Sequence, residues 1–195
     1  MGFDISGLNP QYNTTIDDYP LLKKWKNFSW KEREESKEWE KDQEAFWKEM
    51  DAEQEANCGV YFRNNVWWWR PLWSYCYEVC EHLLTDEEWQ AGSYNDGHEY
   101  DEDVCIAMAE LLQAEIDDGS CQRYQEWYQS KLDNTPNEPC SRCNGNNRGR
   151  KKKKDCNPCE GTGEQESWSK SYPFHVDNVQ NFVNFLKECG GMIIC

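Results

Sequence analysis

Four cysteines in this chain are spaced for metal chemistry. They form two Cys-x-x-Cys pairs, Cys140 with Cys143 and Cys156 with Cys159, separated by a Gly-, Asn-, Arg- and Lys-rich stretch. Two such pairs with a loop between them have the spacing of a structural zinc site. Thiolates are soft ligands that suit zinc, and four of them make a closed tetrahedral shell with no position left for a substrate. Two intervening residues let both sulfurs of a tight turn face one ion. Gly161 and Gly163 allow backbone conformations that bring amide hydrogens near the sulfurs. A redox Cys-x-x-Cys is the competing chemistry, but it comes once and near a βαβ pattern, which is absent. The spacing assigns Cys140, Cys143, Cys156 and Cys159 as ligands of one zinc per chain.

Other motifs fall short of a reaction. Pro139-Cys140-x-x-Cys143 fits half of a zinc deaminase signature, which also needs an upstream His-x-Glu. His98 is followed by Glu99-Tyr100 and His82 by Leu83-Leu84, so that half is missing. An EF-hand around Gly97 would need an acid where Gly92 stands. His82 lies close in sequence to Cys76 and Cys80 and reads as a partly buried helix histidine. No catalytic residue is nominated, and the question of an activity stays open.

Two more stretches could bind something. Arg63, Asn64, Asn65 and Arg70 interleave with Trp67, Trp68 and Trp69. That mixture can stack on a base, a sugar or a partner's side chain, or it can form a core strand with arginines on its rim. Arg148, Arg150, Lys151, Lys152, Lys153 and Lys154 form the sole basic run and hold six of the 21 Lys and Arg. On a loop tip the run either keeps the loop hydrated or contacts phosphate or an acidic protein surface.

Cys156-Asn157-Pro158-Cys159-Glu160-Gly161-Thr162-Gly163 resembles the Cys-x-x-Cys-x-Gly-x-Gly repeat of the DnaJ-type chaperone zinc domain. Cys140 to Gly145 resembles a second, degraded repeat. DnaJ proteins carry four repeats and two zincs, so two repeats imply one zinc. The resemblance also implies a chaperone-like holdase as one function. No His-Pro-Asp tripeptide of a J-domain is present. The remainder is similar to a group of phage and bacterial proteins. The likeness lies in the start Met1-Gly2-Phe3-Asp4-Ile5-Ser6-Gly7-Leu8-Asn9-Pro10, the block Tyr61 to Trp67, and the end at Gly190-Gly191. It implies a source, and no mechanism.

The chain has 195 residues and a net charge of −16. That charge favours solubility and on average repels nucleic acid and anionic membrane. No apolar run approaches membrane-spanning length, and the start lacks a signal-peptide pattern. Of eleven cysteines, those outside the zinc pairs are odd in number and fit a disulfide framework badly. They read as small hydrophobes on helix faces, in a reducing cytoplasm. Eleven Trp and ten Tyr supply core area despite the polar average.

Elements must position these groups. Phe3 to Ile5 reads as a strand and Gly7 to Asp18 as a loop. The capping box Ser29-x-x-Glu32 predicts a charged helix from Trp30 to Ala56, with a narrow stripe of Trp39, Phe46, Trp47 and Met50. Arg70-Pro71 predicts the start of a buried central helix carrying Leu72, Cys76, Val79, Cys80 and Leu83. Thr85-x-x-Glu88 starts a short helix, Asp101 caps the next, and Ser120 caps a third bearing Tyr124, Trp127, Tyr128 and Leu132. Tyr172 to Val176 reads as a strand entering a final helix, with Asp177-x-x-Gln180 as its capping box. Gly190-Gly191 ends that helix. Met192 to Cys195 is too apolar to hang free and predicts a terminal strand paired with Phe3 to Ile5.

The sequence thus reads as an α+β fold: a mostly helical domain, a small sheet from the chain termini, and a protruding zinc knuckle. Residues 1–136 form the helical body, 137–168 the knuckle insertion, and 169–195 a strand-helix-strand that completes the body. The favoured function is a zinc-containing cytoplasmic interaction protein, phage-encoded on that likeness, that binds a host macromolecule, a protein before a nucleic acid, through an acidic and aromatic surface. A nucleic-acid-binding module using the basic run and a DnaJ-like holdase are the alternatives. No membrane contact is expected.

Overall fold

The structure, a computed structural model, describes residues 2–144 and 156–195. Strand β1 (Gly2–Gly7) buries Phe3 and Ile5 on one face by simple alternation. Its neighbour β6 (Met192–Ile194) pairs antiparallel with it, Ile5 opposite Ile194. Gly190 (φ 57°) and Gly191 (φ 90°) turn the chain into β6 through a left-handed region that other residues resist. Two further strands complete the sheet in the order β2-β1-β6-β3: β2 (Tyr61–Asn65), where the strand reading of the Arg63 to Arg70 block holds as far as Asn65, and β3 (His98–Tyr100), which the sequence did not foretell. Gly97 (φ 85°) sets up β3 and donates its N–H to Ile194 O at 2.9 Å.

Helix α8 (Val176–Glu188) lies on this sheet, with Phe182 and Phe185 against Phe62 at 5.2 and 5.8 Å. Helix α6 (Glu102–Asp117) packs on α8 and buries Cys105, Met108, Ala109 and Leu112. Helix α4 (Val66–Cys80) fills the centre. Its Trp69 stacks between Phe3 and Trp73 at 5.3 and 5.2 Å and meets Phe182 edge-on. Buried indoles need acceptors. Trp69 Nε1 donates to Gly92 O at 2.8 Å, and Trp73 Nε1 to Trp89 O at 2.9 Å. At Gly92 a Cβ would sit 2.1 Å from the Trp73 ring, so that close approach requires glycine. Helix α5 (Asp86–Ala91) starts at the expected capping box, with Thr85 Oγ1 accepting from Glu88 N.

Several expectations are corrected. The central helix starts at Val66, not at Arg70-Pro71. The Asn65 side chain caps it by accepting from Trp67 N and Trp68 N, and Pro71 lies inside it. The long helix is broken into α2 (Trp30–Glu34) and α3 (Trp39–Ala56). Ser36 Oγ accepts from Glu38 N and Trp39 N at the break, supplying a second start. Residues before it form α1 (Pro20–Trp25), which covers Trp39 and Phe46 with Trp25, Leu21 and Leu22 as a separate small core. Arg33 lies over the Trp39 and Phe46 rings. Helix α7 (Ser120–Asp133) is entered from Gly119 (φ 77°), and Ser120 donates its N–H to Asp118 Oδ1. Tyr172 to Val176 pairs with no strand among the described residues. The cap of α8 comes from afar: Gln125 Oε1 accepts from Val176 N at 2.8 Å.

Candidate metal centre and its surroundings

The two cysteine pairs are joined by a two-stranded ribbon. Strand β4 (Glu138–Pro139) pairs antiparallel with β5 (Glu164–Gln165), and Cys140 N donates to Gly163 O at 2.9 Å. Cys156-Asn157-Pro158-Cys159 forms a short 3-10 turn. Beyond it Glu160 (φ 45°), Gly161 (φ 81°) and Gly163 (φ 83°) all take positive φ. This curl returns Thr162 N to Cys159 O at 2.8 Å and aims Gly163 N at Cys159 Sγ from 3.3 Å.

All four cysteines are buried, and their sulfurs lie within 4.8 Å of one another. Cys140 and Cys156 sulfurs are 3.7 Å apart, as are those of Cys143 and Cys159. A tetrahedron with zinc–sulfur bonds of about 2.3 Å has edges of about 3.8 Å. A disulfide would need about 2.05 Å. The cluster is arranged to coordinate a single metal ion, and among the described residues it is the one group of its kind. Amides help. Those of Cys143 and Arg142 hold the Cys140 thiol below its ordinary value. Burial opposes ionisation of Cys159, yet the Gly163 amide and the neighbouring Cys156 and Cys143 thiols hold it at about 6.

The remaining candidate residues scatter. Trp69 is fully buried, so its ring belongs to the core and presents no surface. Asn64 is buried and donates Nδ2 to Asn178 Oδ1 at 2.9 Å. Asn65 is the cap of α4, and Arg63 lies 3.4 Å from Asp4 Oδ1. Trp67 and Arg70 come together. Trp67 stacks on Trp168 at 5.9 Å and packs on Tyr172 at 4.8 Å, while Arg70 lies over Tyr172 and donates to its hydroxyl. Trp168 and Tyr172 follow β5 closely in sequence, so this ledge adjoins the cysteine segment along the chain. Sequence reasoning missed both; the one signal was a Trp in a Ser-rich stretch. Arg148, Arg150, Lys151, Lys152, Lys153 and Lys154 lie outside the described residues. His82 is exposed, whereas Cys76 and Cys80 are fully buried.

No family model, curated protein or solved structure matches this chain. No helix among the described residues is long and apolar enough to cross a membrane.

Proposed function

We propose that this chain is a zinc-containing interaction protein that binds a protein partner through its acidic and aromatic surface. The four-thiol shell is the observation that carries the reading. All four ligand positions of a tetrahedral ion would be filled from the chain, so a bound metal would tie the two cysteine turns together and offer a substrate no open site. On this reading residues 137–168 are an insertion into a body made of 1–136 and 169–195. The ledge of Trp67, Trp168, Tyr172 and Arg70 has the aromatic and arginine character enriched at interfaces. Helix α3 exposes Glu40, Glu44, Asp51 and Glu55, and of these only Glu44 is paired among the described residues, with Lys48. Such a surface suits a basic protein face better than a nucleic acid. The likeness of the chain's ends and of Tyr61 to Trp67 to phage and bacterial proteins supports a partner in a bacterial host. Cys58, Cys76, Cys80, Cys105, Cys121, Cys189 and Cys195 form no disulfide among the described residues, which suits a reducing cytoplasm.

The test is capture from a bacterial lysate with three proteins. These are wild type, a variant with Glu40→Lys, Glu44→Lys, Asp51→Lys and Glu55→Lys, and a variant with Lys151 to Lys154 neutralised. The partner should be lost with the helix variant and kept with the lysine variant. Tight nucleic-acid binding at near-physiological salt that vanishes with the lysines would transfer the function to the basic run. Indiscriminate capture of unfolded chains by all three would favour a holdase.

A further inference from the structure

We infer that the free edge of β2 is a groove for an extended, basic polypeptide segment, which joins the sheet as a fifth strand. This rests on the protein-binding reading above and says where the partner sits.

Strand β2 is the outermost strand of its sheet. Gly7 N donates to Val60 O, and Asp4 exchanges both backbone bonds with Cys195 on the far side of β1. Antiparallel pairs alternate. Phe62 and Asn64 therefore direct their backbone groups at β1, while Tyr61 and Arg63, the latter opposite Asp4, direct theirs outward. Proteins blunt such an edge with proline, a bulge, a free charge or a covering element. Tyr61 to Asn65 contains no proline, its register is unbroken, and its one charge, Arg63, is turned to Asp4.

A groove follows this edge. Two adjoining hollows of about 560 Å³ each are lined by β2, one by Tyr61 to Asn64 and the other by Arg63 to Asn65. Side chains of both sheet faces line the same depression, as happens only along an edge. Both hollows share Arg63, Asn64, Asn178 and Asn181. The opposite wall is α8, where Asn178, Asn181 and Asn184 recur at a spacing that keeps them on one side of a helix. A carboxamide offers both donor and acceptor, matching the alternating N–H and C=O of an extended backbone. Asn181 has no side-chain hydrogen bond among the described residues. A five-residue edge spans about 17 Å, enough for a strand of common length.

Charge selects the occupant. Asp177 lines one hollow, and Asp51 and Glu55 line the other. None of the three has an ion pair among the described residues. The groove has a negative surplus, so lysine or arginine flanking a β-forming segment complements it. A second copy would bring its own Asp51, Glu55 and Asp177 against the first set.

The experiment pans the full-length, zinc-loaded protein against a displayed random octapeptide library and measures enriched peptides by fluorescence anisotropy. The expected peptides are β-prone with Lys or Arg near their ends. Arg63→Pro removes an outward N–H without touching the β1 ladder, and Asn181→Arg fills the groove from an exposed helix position. Each should weaken binding by about tenfold or more. Asn181→Arg decides the matter if Arg63→Pro unfolds the sheet. Enrichment of acidic or proline-rich peptides, or of none, overturns the inference. So does equal binding by a folded Asn181→Arg, or a dimer that both variants dissolve. A lysate partner lost on charge reversal of α3 yet held by both groove variants would sink the groove and leave the protein-binding reading intact.

Discussion

Cys80 and Cys159 are both buried thiols, and their surroundings push them in opposite directions. In the main core, burial pushes Cys80 up to about 12, with the Glu115 carboxylate adding to it. Cys121 rises to about 11 for the same first reason, although the Tyr75 hydroxyl partly offsets it, and Cys76 rises well above the ordinary value. Burial is the largest influence on Cys159 too, but the Gly163 and Gly161 amides and the neighbouring Cys156 and Cys143 thiols together outweigh it, whereas burial pushes Cys156 beside it up to about 12. The difference lies in the backbone. Cys76, Cys80 and Cys121 sit in helices whose amides are engaged along the helix axis. The cysteine turns use positive φ at Glu160, Gly161 and Gly163, which frees amides to face sulfur. Burial alone raises a thiol, at Cys80 and at Cys156 alike; donors aimed at the sulfur lower it, as at Cys140 and Cys159.

The strongest test of this contrast acts on the main core. Strand β6 lies between β1 and β3, and its Met192 and Ile194 are fully buried. Ending the chain after Gly191 should cost roughly 3–6 kcal/mol in urea denaturation, at about 1.5–3 kcal/mol for each side chain. An unchanged midpoint would deny the sheet its role. A smaller effect separates the two kinds of thiol. Cys76→Ser sets a hydroxyl in a fully buried core site, so it should cost about 1–3 kcal/mol while the zinc content stays constant. Cys156→Ser with Cys159→Ser should do the reverse. It should abolish metal binding and disorder the β4–β5 ribbon and both cysteine turns, while the helical signal persists and core stability shifts by less than about 0.5 kcal/mol. Loss of most helical circular dichroism in that double variant would show that the two regions fold as one.

The smallest effect concerns a local device. Hydrogen bonds from the Thr85 amide and hydroxyl hold the Glu88 carboxyl below its ordinary 4.5. A depressed carboxyl adds stability above its unfolded value and loses it as pH falls through the folded one. Glu88→Gln should therefore cost about 0.3–1 kcal/mol at neutral pH and nothing once the wild-type carboxyl is protonated. A cost that persists in acid would assign Glu88 a role other than its charge.

What could be read beforehand follows from how local each cause is. The clustered cysteine pairs, the Thr85 box and the apolar tail after Gly190-Gly191 carry their instructions within a few residues. The start of α4 was missed because Pro71 resembles an opening residue, while the true cap, Asn65, stands at the end of β2, where strand gives way to helix. The break before Trp39 follows from α1, whose Trp25 covers Trp39 across the small core. Gln125 caps α8 from another helix, and Trp168 meets Trp67 from the far side of the cysteine segment. These partners are set by the fold and leave no spacing to read. Trp69 shows the same limit: its neighbours left a binding surface and a core strand both open, and its stacking on Phe3 and Trp73 makes it core, in a helix.

The central claim is that four sulfurs close a structural zinc site. Zinc K-edge X-ray absorption on purified protein, with metal content measured on the same sample, tests it most directly. The account predicts one zinc per chain with four sulfur neighbours at about 2.3 Å. A folded protein without stoichiometric metal, or a shell containing an oxygen or nitrogen ligand, would contradict it.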